Sequence, residues 1–394
     1  MLLVLALIGL VAVANGLRPF RAQLLVVPSF FAAWLTVELA PQLLVLTVVV
    51  TAVLTATVGL SWLGLLVTAL VIGGLLLMIR MSEQAADAAD QALSGWPDPV
   101  DAREPISGVR RFFRPMSFKN PDVERTVDVA YGDLPRHKLD VYRPKAGATG
   151  APTLIQVHGG AWIIGDKKEQ GRPLMNHLAS RGWVCFAPNY RLSPKATWPD
   201  HLIDVKRAIA WVKEHGAEYG ADPGFLVLTG GSAGGHLTSL CALTQNDPQW
   251  QPGFEDADTS VSACIPYYGV YDLSGETGTT AATVREKRLL AKLVMKTRDK
   301  EVYRQASTLT HVNADAPPFF VIHGRNDTLV PVEEARLLVE RLRAVSSNPV
   351  LYLELPGTEH AFDVFPSIRS DHVVAAVGRF CQLLRVRAGH RTGT

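Results

Sequence analysis

Six residues, Gly230-Gly231-Ser232-Ala233-Gly234-Gly235, fit the pattern G-x-S-x-G and constrain this chain more than any other segment. The apolar run Phe225 to Thr229 precedes them, and a helix-compatible stretch from His236 to Leu243 follows. The pattern predicts a strand, a tight turn and a helix, with the serine hydroxyl exposed at the carboxyl edge of a sheet. Glycines permit the strained turn and leave room beside the serine. Ser232 is therefore the candidate nucleophile, although small residues also cluster in ordinary turns and the pattern needs support from the rest of the chain.

A serine hydroxyl needs a base, a group that orients the base, and donors for the oxyanion formed on attack. Thr153 to Val157 reads as a buried strand running into His158-Gly159-Gly160-Ala161-Trp162. The backbone N–H groups of Gly159 and Gly160, with that of Ala233, are the candidate oxyanion donors. Phe319 to Gly324 is another strand, ending in Arg325-Asn326-Asp327, and Val350 to Leu355 is a last one, followed by Gly357-Thr358-Glu359-His360. Asp327 and His360 are thus expected just past strand ends, on the same sheet edge as Ser232. In the implied chemistry His360 takes the proton of Ser232, Asp327 holds the imidazole tautomer, and water releases the acyl group.

These motifs together resemble the α/β-hydrolase superfamily, in the esterase and lipase branch related to hormone-sensitive lipase. The matching elements are His158-Gly159-Gly160-Ala161-Trp162 with Gly165-Asp166, Asn189 to Pro194, Gly231 to His236, His323 to Asp327, and Glu359 to Phe362. The order Ser232, Asp327, His360 is the one that family uses. The resemblance covers about residues 120 to 385 and implies a mostly parallel central sheet flanked by helices. Two departures, His-Gly-Gly-Ala in place of His-Gly-Gly-Gly and Gly231 where many relatives carry an acid, are closer to bacterial short-chain and carbohydrate-ester esterases. The implied activity is hydrolysis of short to medium acyl or acetyl esters, on a small-molecule or lipid substrate. Acyl transfer to an alcohol, amide cleavage and a non-catalytic binding role remain open alternatives.

Bracing roles are expected for the other residues of these motifs. Tyr190, Arg191 and Asp166 would hold loops around the site, and His158 and His323 would satisfy backbone groups. Asp204 falls on an amphipathic helix with Ile203, Ala208, Ile209 and Val212, where a solvated or bracing role is the default. Residues 270 to 316 separate the sixth and seventh strands and read as a lid-like insertion containing a basic helix from Val284 to Met295. Trp162 and Tyr268 are candidate walls of the substrate pocket.

The other end of the chain is of a different character. Before Arg80 its only ionisable side chains are Arg18, Arg21 and Glu38. Four transmembrane helices are expected in residues 1–80, from 2 to 17, from 24 to 40, and two from the uncharged run 42 to 79 folded near Gly59 to Trp62. Residues 81–120 read as a juxtamembrane linker that first continues the last helix, and residues 121–394 as the catalytic domain. Within the linker, Arg110-Arg111-Phe112-Phe113-Arg114 is a candidate contact for anionic lipid, against the commoner reading of a solvated face. Arg18 and Arg21 in one loop, with four spans, put the catalytic domain outside the cytoplasm, whereas Arg80 pulls the other way. Cys185, Cys241, Cys264 and Cys381 read as buried free thiols. A net charge of +2 gives no sign of nucleic-acid partners, no metal-binding or nucleotide motif occurs, and the chemistry requires no cofactor.

Overall fold

A computed structural model describes residues 1–22, 25–98, 120–278 and 290–389. Among them, eight strands form one sheet: β1 (Val123–Ala130), β2 (Lys138–Pro144), β3 (Ala151–Val157), β4 (Val184–Pro188), β5 (Ala221–Gly231), β6 (Ala263–Tyr267), β7 (Phe319–Gly324) and β8 (Val350–Leu355). Their order is β1-β2-β4-β3-β5-β6-β7-β8. β2 is antiparallel to both β1 and β4, and every later pairing is parallel. Strands covered on both faces need apolar side chains throughout, and β3, β4, β6 and β7 are buried along their whole length.

Alternate residues of the strands feed two cores. Ile155, Val157, Leu226 and Leu228 pack with α6 (Asp200–His215), α7 (Ala233–Leu243) and α9 (Val332–Val345). Leu154, Val227, Phe320 and Leu353 pack on the other face with α5 (Arg172–Ala179) and α10 (Ile368–Arg387). A short helix, α8 (Lys300–Ala306), belongs to the insertion after β6. The loops that follow β3, β5, β7 and β8 all leave at the carboxyl edge of the parallel strands, where α/β sheets place their sites.

Four N-terminal helices precede the sheet: α1 (Leu2–Leu17), α2 (Val26–Glu38), α3 (Ala40–Val58) and α4 (Trp62–Leu93). Only α3 and α4 are long and apolar enough to cross a membrane. α2, at 13 residues, is about 20 Å long against the about 30 Å of a hydrocarbon core. It lies instead on the sheet domain, with Trp34 Nε1 donating to Ala361 O at 3.0 Å. The expected set of four spans therefore reduces to two candidates by length. The composition of α2 suggested a span because its domain contacts are made by aromatic rings and one carboxylate.

α1 runs alongside α4 in the same direction, with Leu2 beside Gly64, Val13 against Gly74 and Met78 against Gly16. Small residues allow this approach. α4 then continues past Arg80 into the domain, where Ala85, Ala89 and Leu93 join the core beside α10. Glu83 meets His372 at 2.9 Å and Asp90 meets Arg379 at 2.6 Å. The Arg110 to Arg114 cluster and most of the basic helix from Val284 lie outside the described residues, and Leu290–Met295 forms a π-helical turn. All four cysteines are buried free thiols.

Candidate active site

Ser232 sits between the end of β5 and the start of α7 with φ 58° and ψ −121°, a conformation that L-residues rarely adopt. Its neighbours leave space for nothing else. A β-carbon on Gly234 would lie 2.2 Å from Val157 O, and one on Gly231 would lie 2.6 Å from the hydroxyl of Tyr268. The turn is fastened by Ser232 N–H donating to Tyr267 O and His236 N–H donating to Ser232 O, both at 3.0 Å.

Asp327 and His360 come together from the loops after β7 and β8. His360 Nδ1 lies 2.7 Å from Asp327 Oδ2. Asp327 Oδ1 accepts from the N–H groups of Leu329 at 2.9 Å and Val330 at 2.7 Å. His323 Nε2 stands 3.3 Å from Asp327 Oδ2 and 3.0 Å from Val330 O. Burial opposes ionisation of Asp327, but the imidazoles of His360 and His323 outweigh it and hold its carboxyl well below the usual range. Ser232 and His360 face one cavity of about 450 Å³.

That cavity is walled mainly by apolar groups. Trp162 lines it, as expected, and the insertion after β6 supplies Val270, Leu273, Leu290, Val294 and Tyr303. Tyr268 does not line it. Its ring packs 4.4 Å from that of His360, and its hydroxyl donates to Asp363. Tyr268 thus supports the histidine from behind, because the backbone after β6 turns it into the core. The same ring explains the departure at position 231, where any side chain would collide with it.

Of the three expected oxyanion donors, Gly159 is already engaged, its N–H donating to Gln170 Oε1 at 2.7 Å. Gly160 N–H and Ala233 N–H have no acceptor among the described residues. A donor must be free to meet a developing negative charge, so Gly159 drops out of the candidate set.

The bracing residues behave as their positions suggested. Tyr190 donates to His158 O at 3.0 Å and stacks on the His158 ring at 4.4 Å. Burial pushes the His158 imidazole down to about 4. Its Nδ1 lies 2.8 Å from Gly159 O. Asp204 is buried and receives Arg191 through its backbone N–H and guanidinium, at 2.7 to 3.0 Å. Asp166 accepts from Asn189 Nδ2 at 3.0 Å.

Two buried carboxyls are not legible in the sequence. Glu359 Oε1 accepts from the N–H groups of Thr328 and His360 at 2.7 and 2.9 Å. Burial, reinforced by the charge of Asp327, raises its pKa to about 7. Glu334 lines the cavity and accepts from the N–H groups of Tyr271 and Asp272, and burial raises it to about 7. Glu359 stands in the Glu359 to Phe362 element, but its burial against the Asp327 loop does not show in the sequence, and Glu334 belongs to none of the motifs.

The fold and the arrangement at its sheet edge define an α/β-hydrolase of the esterase and lipase branch. Residues 139–342 match the BD-FAE family, and the chain belongs to that family. It is 48% identical over 353 residues to a probable carboxylic ester hydrolase, LipM, of Mycobacterium tuberculosis, a match covering 85% of this chain and 80% of that protein. Esterase LipC of the same organism is 43% identical over 299 residues, with 74% and 72% covered. Among solved structures, the thermophilic esterase Est2 of Thermogutta terrifontis with butyrate bound superposes with a TM-score of 0.57 at 26% identity, covering 70% of this chain and 97% of that one. A truncated carbohydrate esterase from gut microbiota, at 23% identity and a TM-score of 0.55, shares the fold over 65% of this chain and 96% of its own.

Proposed function

We propose that this chain is a membrane-anchored serine esterase that hydrolyses carboxylic esters of short to medium acyl length. The observation that carries the reading is the 2.7 Å contact of His360 Nδ1 with Asp327 beside a cavity that His360 shares with Ser232. Ser232 Oγ attacks the acyl carbon while His360 Nε2 takes its proton, and Asp327 holds the tautomer that leaves Nε2 free. Gly160 N–H and Ala233 N–H receive the oxyanion. The ester C–O bond breaks as His360 returns the proton to the departing alcohol. Water, deprotonated by the same imidazole, then cleaves the acyl-serine bond and frees the acid. The cavity formed by Trp162 and the insertion holds the acyl chain, and its about 450 Å³ suits a short one. The butyrate on the Thermogutta esterase supports the same range.

The anchor is α1, α3 and the apolar part of α4, whose outward faces carry Val4, Ile8, Val48, Val53, Leu66 and Leu70. Exposed apolar surface on that scale belongs against lipid. The deciding measurement is hydrolysis of p-nitrophenyl esters of increasing acyl length by detergent-purified protein, with Ser232→Ala beside it. Activity on short chains that disappears in the variant supports the reading. Folded protein that cleaves none of the series sinks it.

A further inference from the structure

An anchor needs only apolar surface, yet the N-terminal helices of this chain make a set of polar contacts with the loops after β7 and β8 and with the start of α10. Asn326, next to Asp327, donates from Nδ2 to Leu17 O at the end of α1, at 3.1 Å. Ala361, next to His360, accepts from Trp34 Nε1 on α2 at 3.0 Å. The Trp34 indole stacks on Phe365 at 4.6 Å, and the Phe30 ring stands edge-on to His360 at 6.2 Å. At the end of α2, Glu38 takes hydrogen bonds from Arg369 and Ser367, and the side chains of the Glu38–Arg369 pair are wholly inaccessible to solvent.

The two helices are also fixed to each other. Asn15 Nδ2 donates to Ser29 O at 2.8 Å, and Ser29 Oγ donates to Asn15 Oδ1 at 2.6 Å. α1 and α2 are therefore tied to each other, α1 touching the aspartate loop at Leu17 and α2 the histidine loop at Trp34. Buried ion pairs contribute little net stability but penalise any other register, since each charge is stranded if the partner moves. Glu38 is the one carboxylate before Arg80, and it is matched to an arginine nine residues beyond His360.

We propose that Glu38 and Trp34 are positioning residues for the esterase reaction, holding the loop that runs from His360 to the start of α10 so that the imidazole stays aligned between Asp327 and Ser232. The proposal rests on the assignment of Ser232, His360 and Asp327 made above. The N-terminal region is then part of the catalytic apparatus as well as an anchor, and a hydrolase domain lacking it would carry a complete set of side chains with a misplaced base.

The test uses full-length protein in detergent, comparing wild type with Trp34→Phe, which keeps the stacked ring and loses the donor, and with Glu38→Gln. A p-nitrophenyl alkylphosphonate, which releases one nitrophenol per reactive serine, counts working sites and gives their rate of modification. The expected result is a near-normal count in Trp34→Phe, with the modification rate and kcat lowered by about tenfold, KM within about twofold, and the acid limb of the kcat/KM profile displaced. Fewer sites, each with the wild-type rate and pH profile, would reduce Glu38 and Trp34 to structural contacts and overturn the proposal. Should Glu38→Gln not fold, the milder Trp34→Phe decides between these outcomes alone. Wild-type protein that the phosphonate does not modify would instead overturn the Ser232 assignment underneath.

Discussion

Tyr268 occupies the space that a side chain on Gly231 would need: a β-carbon there would lie 2.6 Å from the phenol oxygen and 2.8 Å from a ring carbon. Because the same ring packs on His360 at 4.4 Å, crowding at position 231 is transmitted to the imidazole. Gly231→Ala should cost about 1 to 3 kcal/mol of stability, the usual result of overpacking a filled core. It should lower kcat by a larger factor than the fold is weakened. Thermal unfolding in detergent and ester turnover on the same preparation check both; an unchanged kcat would show that Tyr268 yields without moving His360.

Asp327→Asn keeps the shape of the acid loop but removes the charge that selects the imidazole tautomer. The carboxamide oxygen of this variant can still accept from the N–H groups of Leu329 and Val330, as Asp327 Oδ1 does, so the loop should hold. If the amide nitrogen faces His360 Nδ1, the ring turns its proton toward Ser232 and loses its action as a base. A fall in kcat of about 10⁴, with little loss of stability, is expected. A drop smaller than about tenfold would mean that Asp327 is not the orienting group.

Much of this site could be read from the sequence, for reasons that particular residues make plain. Phe319 to Gly324 and Val350 to Leu355 are apolar runs ended by polar or glycine-rich turns, and β7 and β8 have those same bounds. Ser232, Asp327 and His360 each follow such a run, and a parallel sheet then brings all three to one edge. What escapes reading depends on contacts distant in sequence or on backbone detail. Glu38 meets a partner 331 residues away, and nothing local distinguishes it from a carboxylate at a membrane interface. Gln170 takes the Gly159 N–H from an irregular loop with no periodicity to place it. Tyr268 is an aromatic residue just past a strand, which suits a pocket wall, until the turn after β6 directs it beneath the histidine.

Stability should respond to pH through Glu359. Its pKa in the folded protein is about 7, above the ordinary value of 4.5, because burial and the charge of Asp327 disfavour its ionised form. The folded state therefore binds more protons than the unfolded one between these two values, and this group makes stability fall as pH rises through that window. Asp327 acts in the opposite sense and only below its own unfolded value near 3.8. Glu359→Gln keeps an oxygen for the N–H groups of Thr328 and His360 and removes the titration. The variant should match wild type near pH 4.5 and exceed it by about 1 to 3 kcal/mol at pH 8. Denaturant unfolding at both pH values measures this; a stability difference that does not vary with pH would refute the role of Glu359.

The path of the N-terminal helices predicts which side of the membrane carries the hydrolase domain. α1 runs parallel to α4, and Gly16 packs against Met78, so Arg18 and Arg21 lie at the same end of the bundle as Arg80. That end touches the domain, through Leu17 and Asn326 on one side and Gly357 and Met81 on the other. By length α3 and α4 are the two candidate spans, and α1, about 24 Å long and running alongside α4, would add a third, odd crossing while α2 lies on the domain. The conflict between Arg18 with Arg21 and Arg80, which four spans create, then vanishes. All three arginines sit at one end, and the bias of basic residues toward the cytoplasm predicts that the hydrolase domain lies there. Reporters fused at residue 1 and at residue 394, one active only in the cytoplasm and one only outside it, should read opposite faces, with the residue-394 end cytoplasmic. Both ends reading cytoplasmic would remove α1 from the crossings, and a residue-394 end outside the cytoplasm would overturn the placement of the domain.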